Sequence, residues 1–203
     1  MKKTTVLLAD DHQIFLAGLK RLLEDEFEVV GAVGDGRELR EAALQLKPDV
    51  IVADISMPLL NGIDAVRSLP AEGCTSKVIF LSMHGDALYR SEALRAGAVR
   101  YILKRDAPDR LVTAIHEAAQ GMADGSPDSF VDDSNTRDAK SITPRQREIW
   151  QLLAEGRAPK EIATIAGLSV RTVEFHKYRL MQRLKVRTGA ELTVLAVKHG
   201  LVH

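Results

Sequence analysis

The chain has 203 residues, enough for one large or two small domains, and its 28 basic and 28 acidic side chains cancel. The balance hides an asymmetry, because residues 1–120 carry a net −3, residues 121–140 a further −3 and residues 141–203 a net +6, so only the last third has the charge to meet nucleic acid. A single cysteine, Cys74, excludes an intrachain disulfide and suits a reduced, cytoplasmic compartment, while the absence of any membrane-length apolar run argues against a membrane partner. The acidic pair Asp10-Asp11 follows the basic start too closely for a signal peptide, and the six histidines have no metal-ligand spacing.

Thr5–Ala9 reads as a buried strand, and Ile14, Leu16, Leu19, Leu22 and Leu23 recur at helical spacing behind it. Phe27–Val33 is a second strand and Arg37–Leu46 a helix stopped by Lys47-Pro48. The third strand, Asp49–Ala53, holds the continuous apolar run Val50–Val52, as expected of a strand covered on both faces of a parallel sheet. Asp54 closes it, and Pro58 prevents it from continuing as an inner strand. A short helix, Ile63–Leu69, follows Asn61-Gly62. Next come a strand at Lys77–Leu81, a helix at Ala87–Ala96 ended by Gly97, and a strand at Arg100–Leu103. Asp106 is the expected N-cap of a helix over Ala107–Gln120, with Pro108 in its first turn and Gly121 beyond its end. Strands alternating with helices imply a doubly wound α/β domain with a parallel sheet over residues 1–121.

Residues 122–141 are rich in turn formers and acid and read as a flexible linker. From residue 142 to 203 the pattern is all-α. Thr143, Pro144 and Gln146 form a capping box ahead of Ile149, Leu152 and Leu153. After Gly156 a short helix runs from about Pro159 to Ala166 with Ile162, Ala163 and Ile165 inward, although Ala158 stands where a polar cap belongs. Gly167 makes a turn and Ser169 caps a longer helix to about Leu184, which together form a helix-turn-helix. On that helix Val170, Val173, Leu180 and Leu184 form an inward stripe, while Arg171, Glu174, Phe175, Tyr178 and Gln182 lie on the face that would enter a major groove. Lys160, Arg171, Thr172, His176, Lys177 and Arg179 are candidate phosphate contacts on double-stranded DNA. Thr188–Glu191 reads as a second capping box, opening a last helix with Leu192, Leu195 and Ala196.

The chemistry concentrates at strand ends. A carboxylate at the C-terminal end of a buried strand lies where open α/β sheets bind ligands. Asp10 and Asp11 end the first strand and Asp54 the third, so neighbouring strands would gather three carboxylates. Like charges in one site are costly unless a cation joins them, and oxygen donors of this kind suit Mg²⁺.

Asp10-Asp11, Asp54, Ser82 and Lys104, each after an apolar strand, resemble the constellation of a response-regulator receiver domain, and Ile142–Val202 resembles a four-helix LuxR-type DNA-binding domain. Together they resemble the NarL/FixJ family over nearly the whole chain. The resemblance implies a flavodoxin-like strand order of 2-1-3-4-5. It assigns Asp54 as the phosphoacceptor for a sensor histidine kinase, Asp11 as a direct Mg²⁺ ligand, Asp10 as a ligand through water and the Ser56 carbonyl as another ligand. It also implies Ser82 and Lys104 as phosphoryl-binding groups, with Tyr101 as the rotamer partner of Ser82. Arg105 stands where many receivers have proline. Glu174, Phe175 and Tyr178 are implied base-edge contacts, and the last helix, with Leu192 and Leu195, is the implied contact of a homodimer formed on phosphorylation. The reading is of a regulator rather than an enzyme. A Mg²⁺-dependent phosphatase with an Asp nucleophile would want a carboxylate two residues beyond Asp54, where this chain has Ser56.

Overall fold

The computed structural model describes residues 2–83, 87–121 and 142–202, and the expected linker at 122–141 lies outside them. The chain divides into two compact units, one on each side of that segment.

In the first unit the strands are β1 (Thr5–Ala9), β2 (Glu28–Val33), β3 (Val50–Asp54), β4 (Lys77–Ser82) and β5 (Ala98–Leu103). The helices are α1 (Gln13–Leu23), α2 (Gly36–Leu46), α3 (Gly62–Ser68), α4 (Ala87–Arg95) and α5 (Ala107–Ala119). The strands form one parallel sheet in the order β2-β1-β3-β4-β5, as expected. Alternation along the strands splits the apolar side chains between two layers. Val6, Leu8, Val50, Val52, Ile79 and Leu81 face α1 and α5, where Leu19, Leu23, Leu111 and Ile115 cover them. Leu7, Ala9, Ile51, Ala53, Val78 and Phe80 face the opposite way, against Leu39 and Ala43 of α2 and Ile63 and Val66 of α3. Each fully buried side chain of this size contributes about 1.5–3 kcal/mol.

The register positions the strand ends. Ala9 pairs with Ala53, Ala53 with Phe80 and Phe80 with Tyr101, so the residues just beyond these points share one edge. β3 reaches Asp54 and β4 reaches Ser82, one residue further than the apolar runs suggest, because Asp54 pairs with Leu81 and Ser82 with Leu103. Asp106 does not cap α5. A 3₁₀ turn over Lys104–Asp106 runs directly into the helix, which leaves Asp106 at φ −95°, ψ −2° instead of the extended backbone a cap needs.

The second unit comprises α6 (Pro144–Ala154), α7 (Pro159–Ala166), α8 (Val170–Arg183) and α9 (Gly189–Lys198). The capping box of α6 is present: Gln146 N donates to Thr143 Oγ1 at 3.2 Å, and Thr143 N to Gln146 Oε1 at 3.1 Å. Half a box holds α7, where Glu161 accepts from Ala158 N at 2.8 Å, while alanine offers no oxygen in return. At α9 Thr188 caps as expected, its Oγ1 accepting from Glu191 N at 3.2 Å, while the return bond shifts by one residue, the Glu191 carboxylate accepting from Arg187 N at 2.7 Å. Ile142, Trp150, Leu180, Leu192, Ala196 and Leu201 form the small core. Val170, expected inward, is exposed at the first position of α8, before the helix comes under its neighbours.

Candidate functional site

Three charged side chains meet at the C-terminal edge of the sheet. Asp54 ends β3 at 2% exposure, and its Oδ1 accepts from Ile55 N at 2.7 Å. Its Oδ2 lies 2.9 Å from Lys104 Nζ, which also lies 2.8 Å from Asp10 Oδ2. Lys104, buried beyond β5, thus ties three strands together, with the Phe15 ring centroid 5.0 Å from its ammonium. Burial pushes the Asp54 carboxyl above the ordinary Asp range, against the opposing pull of Lys104. Burial by itself would lower the Lys104 ammonium, but Asp54 and Asp10 outweigh it and hold the group above the ordinary lysine value. One cation facing two buried carboxylates leaves an excess of negative charge that a further cation would offset.

Asp11, 27% exposed at its side chain, stands at the mouth of this pocket. Ligand atoms of Asp10, Asp11, His12 and Asp54 all lie within 4.8 Å of one another, close enough for one ion. The donor set is mainly carboxylate oxygen, which fits the hard cation expected from the sequence. His12 was not expected here; its signal was only its place directly after the acidic pair. Ser56 and Ser82 are both buried at this edge, Ser56 just after β3 and Ser82 at the end of β4. Tyr101 is half-buried on β5, packs partly against the core and carries the Arg90 guanidinium 5.5 Å from its ring centroid.

The loop from Ile55 to Asn61 is clamped from two sides. Gly62 N donates to Ile55 O at 2.8 Å, and a Cβ on Gly62 would fall 2.0 Å from Asp54 O. A Cβ on Gly36, at the start of α2, would fall 1.8 Å from Leu60 O. Between them Leu59 sits at φ 65° in a tight turn closed by Leu60 N to Pro58 O at 2.7 Å. Left-handed backbone at a leucine costs of order 1–3 kcal/mol and persists where surrounding contacts enforce it, as at functional sites. Asn61 caps α3 through Asp64 N at 2.9 Å, and Asp64 in turn holds Arg67 at 2.8 Å.

In the second unit Ser169 caps α8 by accepting from Thr172 N at 3.1 Å. Val173 and Leu180 are buried, while Arg171 and Glu174 are exposed together with Phe175 (56%) and Tyr178 (60%). This face is partly ordered by its own contacts. The Arg179 guanidinium lies 5.5 Å from the Phe175 ring centroid, and Gln182 donates to the Tyr178 hydroxyl at 2.6 Å. Half-buried Lys177 lies 3.9 Å from exposed Glu174, a surface pair worth a few tenths of a kcal/mol at about this separation. Lys160 is exposed on α7, and Thr172, His176 and Lys177 are half-buried along α8. Leu192 corrects an expectation: at 2% exposure it belongs to the small core, and Trp150 Nε1 donates to its carbonyl at 2.9 Å. Leu195 is half-buried, and the outward apolar side chains of α9 are Val194 and Val197. Among the described residues no helix is long and apolar enough to cross a membrane.

Comparison with known proteins covers both units. Residues 6–116 match the model of the response regulator receiver domain, and residues 140–196 that of bacterial regulatory proteins of the luxR family. The chain is 38% identical to the transcriptional regulatory protein MctR of Rhizobium johnstonii over 98% of its own length and 96% of the relative's. It is 37% identical to the transcriptional regulatory protein UhpA of Escherichia coli over 93% of its own length and 95% of the relative's. Among solved structures, RcsB of Salmonella enterica serovar Typhimurium, bound to promoter rprA with the phosphomimetic BeF3⁻, aligns with a TM-score of 0.62 at 25% identity, covering 97% of this chain and 99% of that one.

Proposed function

The chain belongs to the response regulators that join a receiver domain to a luxR-family DNA-binding domain, and from that membership we propose a transcription factor switched by phosphorylation of Asp54. A sensor histidine kinase is the donor. An Asp54 carboxylate oxygen attacks the phosphorus, the bond to the donor's imidazole nitrogen breaks, and the imidazole leaves with the electron pair. The observation that carries the reading is the buried Asp54 held 2.9 Å from Lys104, at the strand edge where register also places Asp10 and Ser82.

The chain's own groups divide the work. Lys104 keeps the nucleophile ionised against its burial and follows the charge onto the transferred phosphoryl oxygens. Asp10, Asp11, Asp54 and the Ser56 carbonyl would hold Mg²⁺, which supplies charge neutralisation at those oxygens. The Ser82 hydroxyl donates to the new phosphoryl group, and Tyr101 on the adjacent strand follows it inward. The receiver then occupies a second state, and population shift favours the DNA-binding form.

Residues 1–121 act as the receiver, 122–141 as linker and 142–203 as the DNA-binding domain. On DNA, α8 lies in the major groove, capped by Ser169. Glu174, Phe175 and Tyr178 meet base edges, while Lys160, Arg171, Thr172, His176, Lys177 and Arg179 meet phosphates. Phosphorylated chains form a homodimer on two half-sites, with Leu195 and the outward Val194 and Val197 of α9 as the apolar contact.

The test is DNA binding and mass in solution with and without a small phosphodonor plus Mg²⁺, for wild type and Asp54→Ala. The proposal requires wild type to gain a dimer and tighter DNA binding while the variant gains neither. Equal binding by both proteins under both conditions refutes phosphorylation control.

A further inference from the structure

Resting on the reading of this pocket as the cation site, we infer that His12 is a fourth ligand side chain, and that the site accepts borderline first-row ions such as Co²⁺ and Zn²⁺ through an imidazole nitrogen. His12 stands at the N-cap of α1 with φ −86°, ψ 92°, yet its ring makes no capping bond. The ring turns back over the acidic pair, with Nδ1 2.8 Å from Asp11 Oδ1 and 3.2 Å from Asp10 Oδ1. His12 N donates to the same Asp10 Oδ1 at 2.9 Å, which fixes the backbone next to the pocket and shortens the reach of the ring.

As they stand these contacts are a hydrogen bond and an ion pair, and their lengths are also those of adjacent ligands sharing an ion. With metal–ligand bonds of about 2.1 Å, adjacent donors on one ion stand about 3.0 Å apart and opposite donors about 4.2 Å apart. The two contacts of Nδ1 match the first distance, and the full group of four, within 4.8 Å, needs only a small contraction to meet the second. Lys104 does not compete for these atoms, since it approaches Asp10 from Oδ2 and leaves Oδ1 to the His12 side. Imidazole nitrogen suits Co²⁺ and Zn²⁺, whereas Mg²⁺ is held by oxygen, so His12 discriminates between the two classes of ion. Occupancy of the pocket then depends on which divalent ion the chain meets, and a borderline ion held by His12 excludes Mg²⁺ from the same carboxylates.

The experiment titrates the full chain with Co²⁺, followed by its visible absorption, and separately with Mg²⁺ by calorimetry, for wild type, His12→Ala and Asp11→Asn. Urea unfolding checks that each variant is folded. Wild type is expected to bind one Co²⁺ that Mg²⁺ displaces. His12→Ala should lose that site's spectrum and at least tenfold in Co²⁺ affinity while its Mg²⁺ affinity stays within twofold. An unchanged Co²⁺ affinity in His12→Ala, or equal losses for both ions, overturns the role of His12 and leaves the cation pocket standing. If Asp11→Asn binds both ions as wild type does, the pocket reading itself falls.

Discussion

The sheet edge and the outer face of α8 carry charge under opposite conditions. At the edge, Asp10, Asp54 and Lys104 are buried within 3 Å contacts, so each charge is tolerable only because another stands beside it. On α8, Arg171, Glu174 and Arg179 stand in solvent, where charge costs little and the Lys177–Glu174 pair is a loose 3.9 Å. The first region therefore couples function to folding, while the second separates them. A change at the edge should disturb stability and chemistry together, whereas a change on α8 should disturb DNA binding alone.

The largest expected effect breaks the compensation at the edge. Lys104→Met leaves two carboxylates buried without their cation and should cost the first unit about 3–5 kcal/mol in urea unfolding, partly restored by millimolar divalent ion. A loss below about 1 kcal/mol, within the range of an ordinary surface pair, would erase the contrast with α8. Next comes Gly62→Ala, whose Cβ must displace the backbone of Asp54 itself. About 1–3 kcal/mol should be lost, as in other overpacked sites, together with the phosphodonor-induced dimer proposed for wild type.

A smaller effect follows from the raised Asp54 carboxyl. Because its folded value lies above the unfolded one, the folded chain binds the proton more readily. The stability this contributes is present below the unfolded value and is lost as pH rises through the raised one. Asp54→Asn should therefore unfold at a higher urea concentration than wild type near neutral pH, and the gap should close as pH falls through the raised range. A gap that widens toward acid would mean that Lys104 dominates burial at Asp54. The smallest change in stability belongs to α8. Arg171→Ala and Lys177→Ala should stay within ±0.5 kcal/mol of wild type while each lowers the salt dependence of DNA binding by about one unit of slope. Unfolding losses comparable to those at the sheet edge would show that the helix face is structural after all.

Legibility in the sequence divides along similar lines. The strands were readable because their apolar runs mark where they stop, so Asp10, Asp54, Ser82 and Lys104 fell at matching ends; the strand order came from family resemblance. Helix starts with a polar cap, at Thr143 and Ser169, were equally plain. What stayed hidden depends on geometry that spacing does not encode. The place of the His12 ring is a rotamer choice at a helix start, and Asp106 failed as a cap because a 3₁₀ turn absorbed its backbone. Leu192 and Leu195 share a helical stripe, and periodicity alone cannot say whether that stripe meets its own domain or a second copy. Burial divides the stripe, with Leu192 at 2% exposure inside the small core and Leu195 half-buried at its border.

The clamp on the loop after β3 has a consequence for anyone recombining such chains. The segment from Asp54 to Gly62 looks like a portable cassette, since it is contiguous and carries the acidic centre. Its shape is imposed in part from outside, by Gly36 on an element 18 residues before Asp54, where any side chain would strike Leu60. A chimera that transplants the cassette alone into a host with a larger residue at that point inherits the carboxylate without its aim, so the true unit of exchange is discontinuous.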